Sequence, residues 1–391
     1  MLGLFLAATF YVAPNGNNAN PGTLNAPFAT ITRGVSALDA GDRLLVRGGT
    51  YRESVRVVNK REIQIRNYPG EKPVIDGTGT TANGLVIVTL SSSVRLEGFE
   101  IRNGPKSGVL LYDVQDVMVR GNDVHHHFRF GIHAVSDEDK PRGTTRRVVI
   151  ANNKVHHNVQ QNASGKAREW MQGIGTFRAR SVDIRGNEVY ENFGEGIDAV
   201  MSDDVTIAQN TVWDNFSANI YLDNASNAHV DGNRVASGRA KHPRLYYRDG
   251  QPAPAIFAAN ETYGEQNPLR DLSITSNVTS GGKYGFGYGD YERGGGLHRV
   301  RVANNTFRGA TDRVLYIEPA AHDDTLIENN IFEAERGREY AYAPAGKITY
   351  RRNCWRGGKA GTEKRGEGDS CGAGIGAARE MDQKRTPREK R

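Results

Sequence analysis

The feature that most constrains this chain is a short pattern that returns from about residue 94 onwards. Each copy is eight residues long. It has apolar residues at positions 1 (Thr in the last copy), 3 and 8, an Asn at position 6 and variable residues elsewhere. Asn187, Asn210 and Asn233 are each separated by 23 residues. A period of this length indicates a solenoid. The copies are VMVRGNDV at 117–124, VVIANNKV at 148–155, VDIRGNEV at 182–189, VTIAQNTV at 205–212, AHVDGNRV at 228–235, VRVANNTF at 300–307 and TLIENNIF at 325–332.

The alternating apolar positions predict half-buried strands, which stack ~4.8 Å apart when successive coils pair. An Asn at a fixed corner can adopt a left-handed backbone conformation and hydrogen-bond to the Asn of the next coil. We therefore predict an all-β chain folded as a right-handed parallel β-helix of about eight to ten coils, spanning residues 61–355. The Asn ladder is assigned a structural role.

The two ends of the chain differ from the repeat. Residues 11–60 are predicted to form an N-terminal cap and first coil, with an amphipathic helix over 29–38 that plugs the open end. Residues 1–10 (MLGLFLAATF) are interpreted as the apolar remnant of a signal peptide. Residues 356–391, rich in Lys, Arg, Glu and Gly, are predicted to be a disordered basic tail. Cys354 and Cys371 either form a disulfide or remain free thiols.

Residues 11–54, YVAPNGNNANPGTLNAPFATITRGVSALDAGDRLLVRGGTYRES, closely resemble the N-terminal cap of bacterial secreted β-helix proteins, including the family 9 polysaccharide lyases (pectate lyases). The resemblance extends more loosely over the coils to about residue 335. It implies a lyase in which an Asp cluster binds Ca²⁺ and a Lys acts as base. GIDAV at 196–200 matches the position of one such Asp, Asp198. Where the Lys is expected, this chain has Tyr221.

A second strand follows each Asn corner and usually begins with Gly, as in GIHAVS, GIGTFR and GIDAVM. Because side chains alternate along a strand, the third and fifth residues are predicted to point outward from the core. Polar groups then gather on one exposed sheet face, Gly175 leaves an open space among them, and Asn224 lies at the rim. The catalytic residues predicted on this face are His133, Arg178, Asp198, Tyr221 and Asp223.

Two insertions flank this face and combine aromatic with basic residues. We expect them to form the walls of a groove, in which rings stack on sugars and cations meet carboxylates. The predicted substrate-binding residues are Arg168, Trp170, Lys241, Tyr246 and Tyr247.

Three functions are compatible with these residues. The leading hypothesis is β-elimination, with Ca²⁺ held by Asp198, Asp223 and Asn224 and with Tyr221 or His133 as base. The second is glycoside hydrolysis by Asp198 and Asp223, since pairs about 5–5.5 Å or about 6.5–9.5 Å apart serve retention or inversion. The third is a non-catalytic glycan-binding or surface solenoid, because the fold alone does not choose among activities.

Composition narrows the partners. The net charge is +6 and the basic residues are spread along the chain, which favours an acidic polysaccharide over nucleic acid. No apolar run approaches the roughly 20 residues of a membrane span. We expect a monomer that is secreted or periplasmic. The runs His125–His127 and His156–His157 are interpreted as a stacked turn ladder, with metal binding as the alternative.

Overall fold

The computed structural model is built from three parallel β-sheets wound around one apolar core. Each coil contributes a strand to sheet 1, then to sheet 2 and then to sheet 3, so neighbouring strands within a sheet come from successive coils. The structure describes residues 7–165, 169–263, 269–291, 295–343, 347–363, 365–369 and 371.

The strands are numbered β1 to β36 in chain order. Sheet 1 contains β1 (Thr9–Val12), β2 (Arg43–Val46), β5 (Arg61–Asn67), β8 (Ser92–Glu97), β11 (Gln115–Arg120), β14 (Arg146–Ala151), β17 (Arg180–Arg185), β20 (Asp203–Ala208), β23 (His229–Asp231), β26 (Arg270–Thr275), β29 (His298–Ala303), β32 (Asp323–Glu328) and β35 (Ile348–Arg351). Sheet 2 contains β3 (Gly49–Tyr51), β6 (Pro73–Asp76), β9 (Glu100–Arg102), β12 (Asp123–His125), β15 (Lys154–His156), β18 (Glu188–Tyr190), β21 (Thr211–Trp213), β24 (Arg234–Ala236), β27 (Val278–Ser280), β30 (Thr306–Arg308), β33 (Ile331–Glu333) and β36 (Cys354–Arg356). Sheet 3 contains β4 (Val55–Val58), β7 (Gly84–Thr89), β10 (Ser107–Tyr112), β13 (Ile132–Val135), β16 (Gln172–Phe177), β19 (Glu195–Val200), β22 (Ile220–Asp223), β25 (Ile256–Asn260), β28 (Tyr284–Asp290), β31 (Arg313–Ile317) and β34 (Ala341–Tyr342).

The predicted fold is confirmed. Within the described residues the three sheets hold 13, 12 and 11 strands, so the solenoid is longer than the eight to ten coils predicted. The coils beyond this number include the first ones, whose sheet 1 strands β1 and β2 precede the repeat that served to count coils. Short 3₁₀ turns over Gln160–Asn162 and Pro243–Tyr246 interrupt two of the longer insertions.

The core consists of apolar columns, each with one side chain per coil. Ile174, Ile197, Ile220 and Ile256 pair directly with one another across sheet 3 and are fully buried. Full burial of one such side chain stabilises the fold by roughly 1.5–3 kcal/mol. Because every coil repeats this contact, the alternation in the sequence fixes which side of each strand faces outward.

A ladder of buried Asn residues runs along the corner between sheets 1 and 2. Asn187 Nδ2 donates to Asn210 Oδ1 at 3.0 Å, and Asn210 Nδ2 donates to Asn233 Oδ1 at 3.0 Å. The left-handed backbone conformation was predicted at the Asn. It occurs instead at the residue before the Asn, as at Gly186 (φ 63°) and Gln209 (φ 56°). The amide is then free to satisfy polar groups of the adjacent coils.

The first coil is closed by α1 (Ile31–Ala37), as predicted for the cap. Thr30 caps this helix by accepting a hydrogen bond from Arg33 N at 3.2 Å. Ile31 and Val35 are buried at the end of the core. Strand β1 begins at Thr9, inside the segment interpreted as a leader remnant, whereas residues 1–6 lie outside the described residues.

Described residues of the C-terminal segment contact the last coil, within the stretch from 356 that was predicted to be a disordered tail. Cys354 and Cys371 form a disulfide. Asp369 accepts hydrogen bonds from Asn353 N at 2.8 Å and from Trp355 Nε1 at 3.0 Å. Asp369 thereby occupies the position that the next Asn of the ladder would take. Residues 372–391 lie outside the described residues.

Candidate active site

Sheet 3 arranges the predicted outward residues in two columns. Gly175, Asp198 and Tyr221 are paired in direct register on β16, β19 and β22, and Asp223 pairs with Val200. Asp198 and Asp223 therefore lie on neighbouring strands, displaced by two residues. One coil rise and one two-residue step place their Cα atoms roughly 8 Å apart.

This part of the face is covered, although the sequence predicted that it is exposed. Asp198 is 2% and Asp223 4% exposed. The cover comes from the segment after β25, where the Tyr221 hydroxyl donates to Glu261 Oε1 at 2.6 Å and the Tyr263 hydroxyl donates to Asp223 Oδ2. Strand alternation tells which side chains leave the core, but it carries no information about a loop that closes over them.

The open space predicted above Gly175 is filled by Gln172, the first residue of β16. A Cβ atom at position 175 would lie 2.6 Å from Gln172 Oε1. Gln172 Nε2 donates to Asp198 Oδ2 at 3.1 Å. Gly175 is therefore required so that Gln172 can reach across the strand and hold Asp198.

Four acidic residues, Glu195, Asp198, Asp223 and Glu261, form what we call the carboxyl cluster. Burial raises the pKa of Glu195 to about 7. Burial also raises the pKa of Asp198 well above its usual range, and the charges of Asp223 and Glu195 raise it further. The pKa of Asp223 is likewise raised by burial, with an opposing contribution from the Tyr263 hydroxyl. Glu195, Asp198 and Asp223 therefore retain protons at pH values where exposed carboxyl groups are ionised.

Three oxygens of the carboxyl cluster are buried and have no hydrogen-bond partner among the described residues. They are Glu195 Oε2, Asp198 Oδ1 and Asp223 Oδ1. No Lys or Arg in the described part of the chain forms an ion pair with Asp198 or Asp223. Buried polar atoms are normally satisfied, so these oxygens are available to a proton, a cation or a substrate.

The predicted Ca²⁺ ligands differ in what they can offer. Asp198 and Asp223 each have one such oxygen, whereas Asn224 uses its amide to accept from Glu261 N at 2.6 Å and to donate to Glu261 O at 3.0 Å. Asn224 thus anchors the covering segment. Ca²⁺ takes six to eight oxygen ligands. Two of the three predicted ligands, Asp198 and Asp223, therefore have an oxygen that could bind Ca²⁺, whereas the amide of Asn224 is engaged by Glu261.

The other two predicted catalytic residues, His133 and Arg178, contact groups outside the carboxyl cluster. His133 is in the same column as Asp198 but two coils away, stacked on Phe130 at 3.9 Å, and burial lowers its pKa to about 3. Arg178 follows β16 and donates through Nη2 to Lys140 O at 2.9 Å. Gln172 lies between His133 and the cluster.

Two exposed aromatic residues lie near charged groups that act on the carboxyl cluster. Trp170 is 57% exposed, and the Arg248 guanidinium lies 4.2 Å from the centre of its ring. Tyr291 is 55% exposed, and its pKa is raised by burial of the hydroxyl and by the charges of Glu318 and Glu261. The positive charge of Arg248 acts on both Glu195 and Tyr291. We call Trp170, Arg248 and Tyr291 the mouth.

The remaining predicted substrate-binding residues have different surroundings. Lys241 is exposed and Tyr247 is half-buried. Tyr246 is buried against Phe193, with 5.0 Å between ring centroids, so its ring faces protein and not solvent. Arg168 lies outside the described residues.

Sequence reasoning missed Gln172, Glu261, Tyr263 and Tyr291 as members of the site. Gln172 could have been found from its place at the start of β16, which pairs with Glu195 at the start of β19. Glu261 and Tyr263 lie in a non-periodic segment and have no comparable signal.

Residues 10–283 match the family described as "Pel9A-like, right handed beta helix region". The chain belongs to this family. Curated relatives of this Pel9A-like chain include the uncharacterized protein YwoF of Bacillus subtilis, which is 29% identical over 147 residues covering 34% of the chain and 31% of the relative. Pectate lyase PEL9 of Emericella nidulans is 35% identical over 78 residues, covering 18% of the chain and 19% of the relative. The chain thus spans less than a third of the curated relatives it matches.

Solved structures similar to this Pel9A-like chain share its fold at low sequence identity. The complex of XylC with xylose has a TM-score of 0.63 at 14% identity, covering 92% of this chain and 85% of that one. The surface adhesin PfbA of Streptococcus pneumoniae has a TM-score of 0.64 at 12% identity, covering 83% and 84%. Pectate lyase Pel9A has a TM-score of 0.51 at 14% identity, covering 88% and 80%. These proteins include a pectate lyase and a surface adhesin, so the fold they share leaves the activity open.

The Pel9A-like chain has no helix, among its described residues, with the length and apolar character needed to cross a bilayer.

Proposed function

We propose that this Pel9A-like chain is a carbohydrate-active enzyme that cleaves a glycosidic bond by acid–base catalysis in the carboxyl cluster. The observation that carries the proposal is a group of three buried carboxyl side chains with raised pKa values, Glu195, Asp198 and Asp223, of which Asp198 and Asp223 have no cationic partner among the described residues. Paired carboxyl groups whose environments separate their pKa values supply the acid and the base of glycoside hydrolysis.

The contacts suggest a division of roles between the two Asp residues. The Tyr263 hydroxyl donates to Asp223 and favours its ionised form, whereas the neighbouring charges of Asp223 and Glu195 favour the protonated form of Asp198. Asp198 is then the proton donor to the leaving oxygen, and Asp223 is the base or nucleophile. Each has one oxygen without a hydrogen-bond partner among the described residues. The covering segment must move to admit a glycan, as lids do in other enzymes.

The mouth provides the surface on which a sugar chain would bind. Trp170 and Tyr291 offer exposed rings for stacking on the apolar face of a sugar, and Arg248 offers donors to its oxygens. An ionised Asp223 disfavours a negative group at the point of cleavage. The structure therefore favours a polysaccharide that is uncharged at the cleaved residue.

The second candidate is Ca²⁺-dependent β-elimination on an acidic polysaccharide. It is favoured by membership of the Pel9A-like family and by the two unoccupied Asp oxygens, which would hold Ca²⁺. Bound Ca²⁺ would neutralise the substrate carboxylate. Neither predicted base is well suited to this reaction. Burial and the charges of Asp223 and Glu261 raise the pKa of Tyr221. His133 is stacked on Phe130, two coils away from Asp198. We place this candidate behind hydrolysis.

The proposal also covers the location and the oligomeric state of the protein. We expect a secreted or periplasmic monomer, and the Cys354–Cys371 disulfide is consistent with an oxidising compartment.

The deciding experiment screens the purified full-length chain against neutral glycans, pectate, alginate and glycosaminoglycans. Reducing ends and the ultraviolet absorbance of unsaturated products are followed together, with Ca²⁺ and with chelator. Reducing ends without absorbance on a neutral glycan, unaffected by chelator, support hydrolysis. Absorbance that chelator abolishes replaces hydrolysis with the lyase. No product on any glycan contradicts both and leaves a binding solenoid.

Trp170→Ala is expected to raise KM about fivefold and to leave kcat nearly unchanged, because loss of one stacking contact of roughly 1 kcal/mol weakens binding uniformly. Phe128→Ala removes another exposed aromatic ring, 49% exposed at a turn outside the mouth, and serves as the matched control. Initial rates over a range of substrate concentrations measure both constants. An equal effect of the two substitutions would contradict a role for the mouth.

A further inference from the structure

The two side-chain oxygens of Asp198 have different surroundings. Oδ2 accepts a hydrogen bond from Gln172 Nε2 at 3.1 Å, whereas Oδ1 is buried and has no hydrogen-bond partner among the described residues. Asp198 is 2% and Gln172 5% exposed. Because the contact is shielded from water, the amide of Gln172 has a strong influence on what each oxygen can do.

The hydrogen bond from Gln172 determines which oxygen of a protonated Asp198 carries the proton. A protonated carboxyl group has one O–H oxygen and one carbonyl oxygen, and the carbonyl oxygen is the better acceptor. An amide N–H that donates to Oδ2 therefore favours the proton on Oδ1. Oδ1 is also the oxygen without a protein partner among the described residues, so its proton is available to a substrate.

The reach of Gln172 depends on Gly175. In the register of β16 and β19, Gln172 pairs with Glu195, and the residue opposite Asp198 is Gly175. Gln172 must therefore extend along its own strand to reach Asp198. A Cβ atom at position 175 would lie 2.6 Å from Gln172 Oε1 and 3.2 Å from Gln172 Cδ. Since these atoms belong to a flexible side chain, a substitution at 175 would displace the amide from Asp198 and leave the strand in place.

We propose that Gln172 is a positioning residue, which fixes Asp198 so that Oδ1 gives its proton to the leaving oxygen of the glycan. This inference rests on the proposed hydrolysis. In that step the O–H bond of Asp198 breaks, and the glycosidic C–O bond breaks with its electron pair going to the leaving oxygen. Water supplies a hydroxyl group to the anomeric carbon and, through Asp223 as base, the proton that restores the cluster. The negative charge left on Asp198 is shared with Oδ2, where the N–H of Gln172 stabilises it.

The charges around Asp198 make such a donor important. Burial raises the pKa of Asp198, and the charges of three neighbouring carboxyl groups raise it further. These groups are Asp223, Glu195 and Glu261. The hydrogen bond from Gln172 acts in the opposite direction and lowers this pKa. Gln172 therefore helps Asp198 to release its proton in surroundings that otherwise retain it.

The test compares Gln172→Leu, Gly175→Ala and the double variant with the native full-length chain, on the glycan that the native chain cleaves. Leu has no donor, whereas Gly175→Ala keeps the amide but displaces it. We expect each single variant to lower kcat by up to about 10²-fold with a small change in KM. The double variant should lose no more than the larger single loss, because both substitutions remove the same contact.

Two substitutions on the outside of the site serve as matched controls. Gln64→Leu replaces a half-buried Gln on the outer side of sheet 1. Gly48→Ala introduces a Cβ atom whose nearest contact, at 3.4 Å, is ordinary. Both should keep the native kcat.

The pH dependence of kcat separates positioning from a merely structural role. Without the donor the pKa of Asp198 rises, so the variant keeps the proton to higher pH. The high-pH limb of the profile, where Asp198 loses its proton, should therefore move to higher pH in Gln172→Leu and stay in place in both controls.

Circular dichroism melts show whether each variant is folded, and Gly175→Ala decides the question if Gln172→Leu does not fold. A native kcat and an unmoved high-pH limb in the folded variants overturn the positioning role while leaving hydrolysis intact. Losses that multiply in the double variant also overturn it, because Gln172 and Gly175 would then act separately. If the native chain cleaves no glycan, the proposed function itself fails and the positioning role fails with it.

Discussion

Asp198→Asn is expected to lower kcat roughly 10²- to 10⁴-fold on the glycan that the native chain cleaves, with a much smaller change in KM. The substitution preserves shape and can keep a hydrogen bond with Gln172, but it removes the proton that the leaving oxygen requires. It also removes a buried acidic group with a raised pKa, so the variant should be at least as stable as the native chain. Initial rates and thermal melts of the same preparation measure both effects.

The matched control is Asp116→Asn on β11. Asp116 is exposed on the outer side of sheet 1, where it forms an ion pair with Arg147 at 2.7 Å. Its replacement should leave activity unchanged. A native rate in folded Asp198→Asn would remove this residue from the mechanism, and a large loss of stability would mean that its carboxyl group is structural.

Glu195→Gln is expected to stabilise the fold by about 3 kcal/mol at pH 8 and to have little effect at pH 4. Burial raises the pKa of Glu195 from an ordinary 4.5 to about 7. Between these two values the folded state binds more protons than the unfolded state, so the free energy of unfolding of the native chain falls as the pH rises. The fall is complete above the folded pKa. A Gln side chain at this position carries no charge at any pH, so the free energy of unfolding of the variant does not undergo this fall.

Denaturant melts of the native chain and the variant across this pH range measure the effect. Glu328→Gln is the opposite control, because Arg351 and Arg301 lower the pKa of Glu328 despite its burial. Its carboxylate contributes stability above its ordinary pKa, which is lost as the pH falls, so Glu328→Gln should destabilise the fold at pH 8. Parallel pH dependence of Glu195→Gln and the native chain would contradict a buried, proton-retaining Glu195.

The sequence alone was enough to predict the β-helix, its core columns and its outward columns. Asn187, Asn210 and Asn233 at equal spacing mark the corner of each coil, and the apolar residues around them mark the inward positions. Each coil packs mainly on its two neighbours, so the local pattern decides the register as well as the fold. The pairing of Asp198 with Tyr221, and the two-residue offset to Asp223, follow from that register.

Only the tertiary structure decided what surrounds those side chains. Glu261 and Tyr263 lie about 40 residues after the Tyr221 and Asp223 that they contact, in a segment without periodicity. The sequence therefore predicted exposed acids, whereas the structure has buried ones. The closing role of Asp369 was hidden for the same reason, because Asp369 lies after the last repeat. A repeat specifies positions through local contacts, but burial, and with it each pKa, depends on which distant segments fold over those positions.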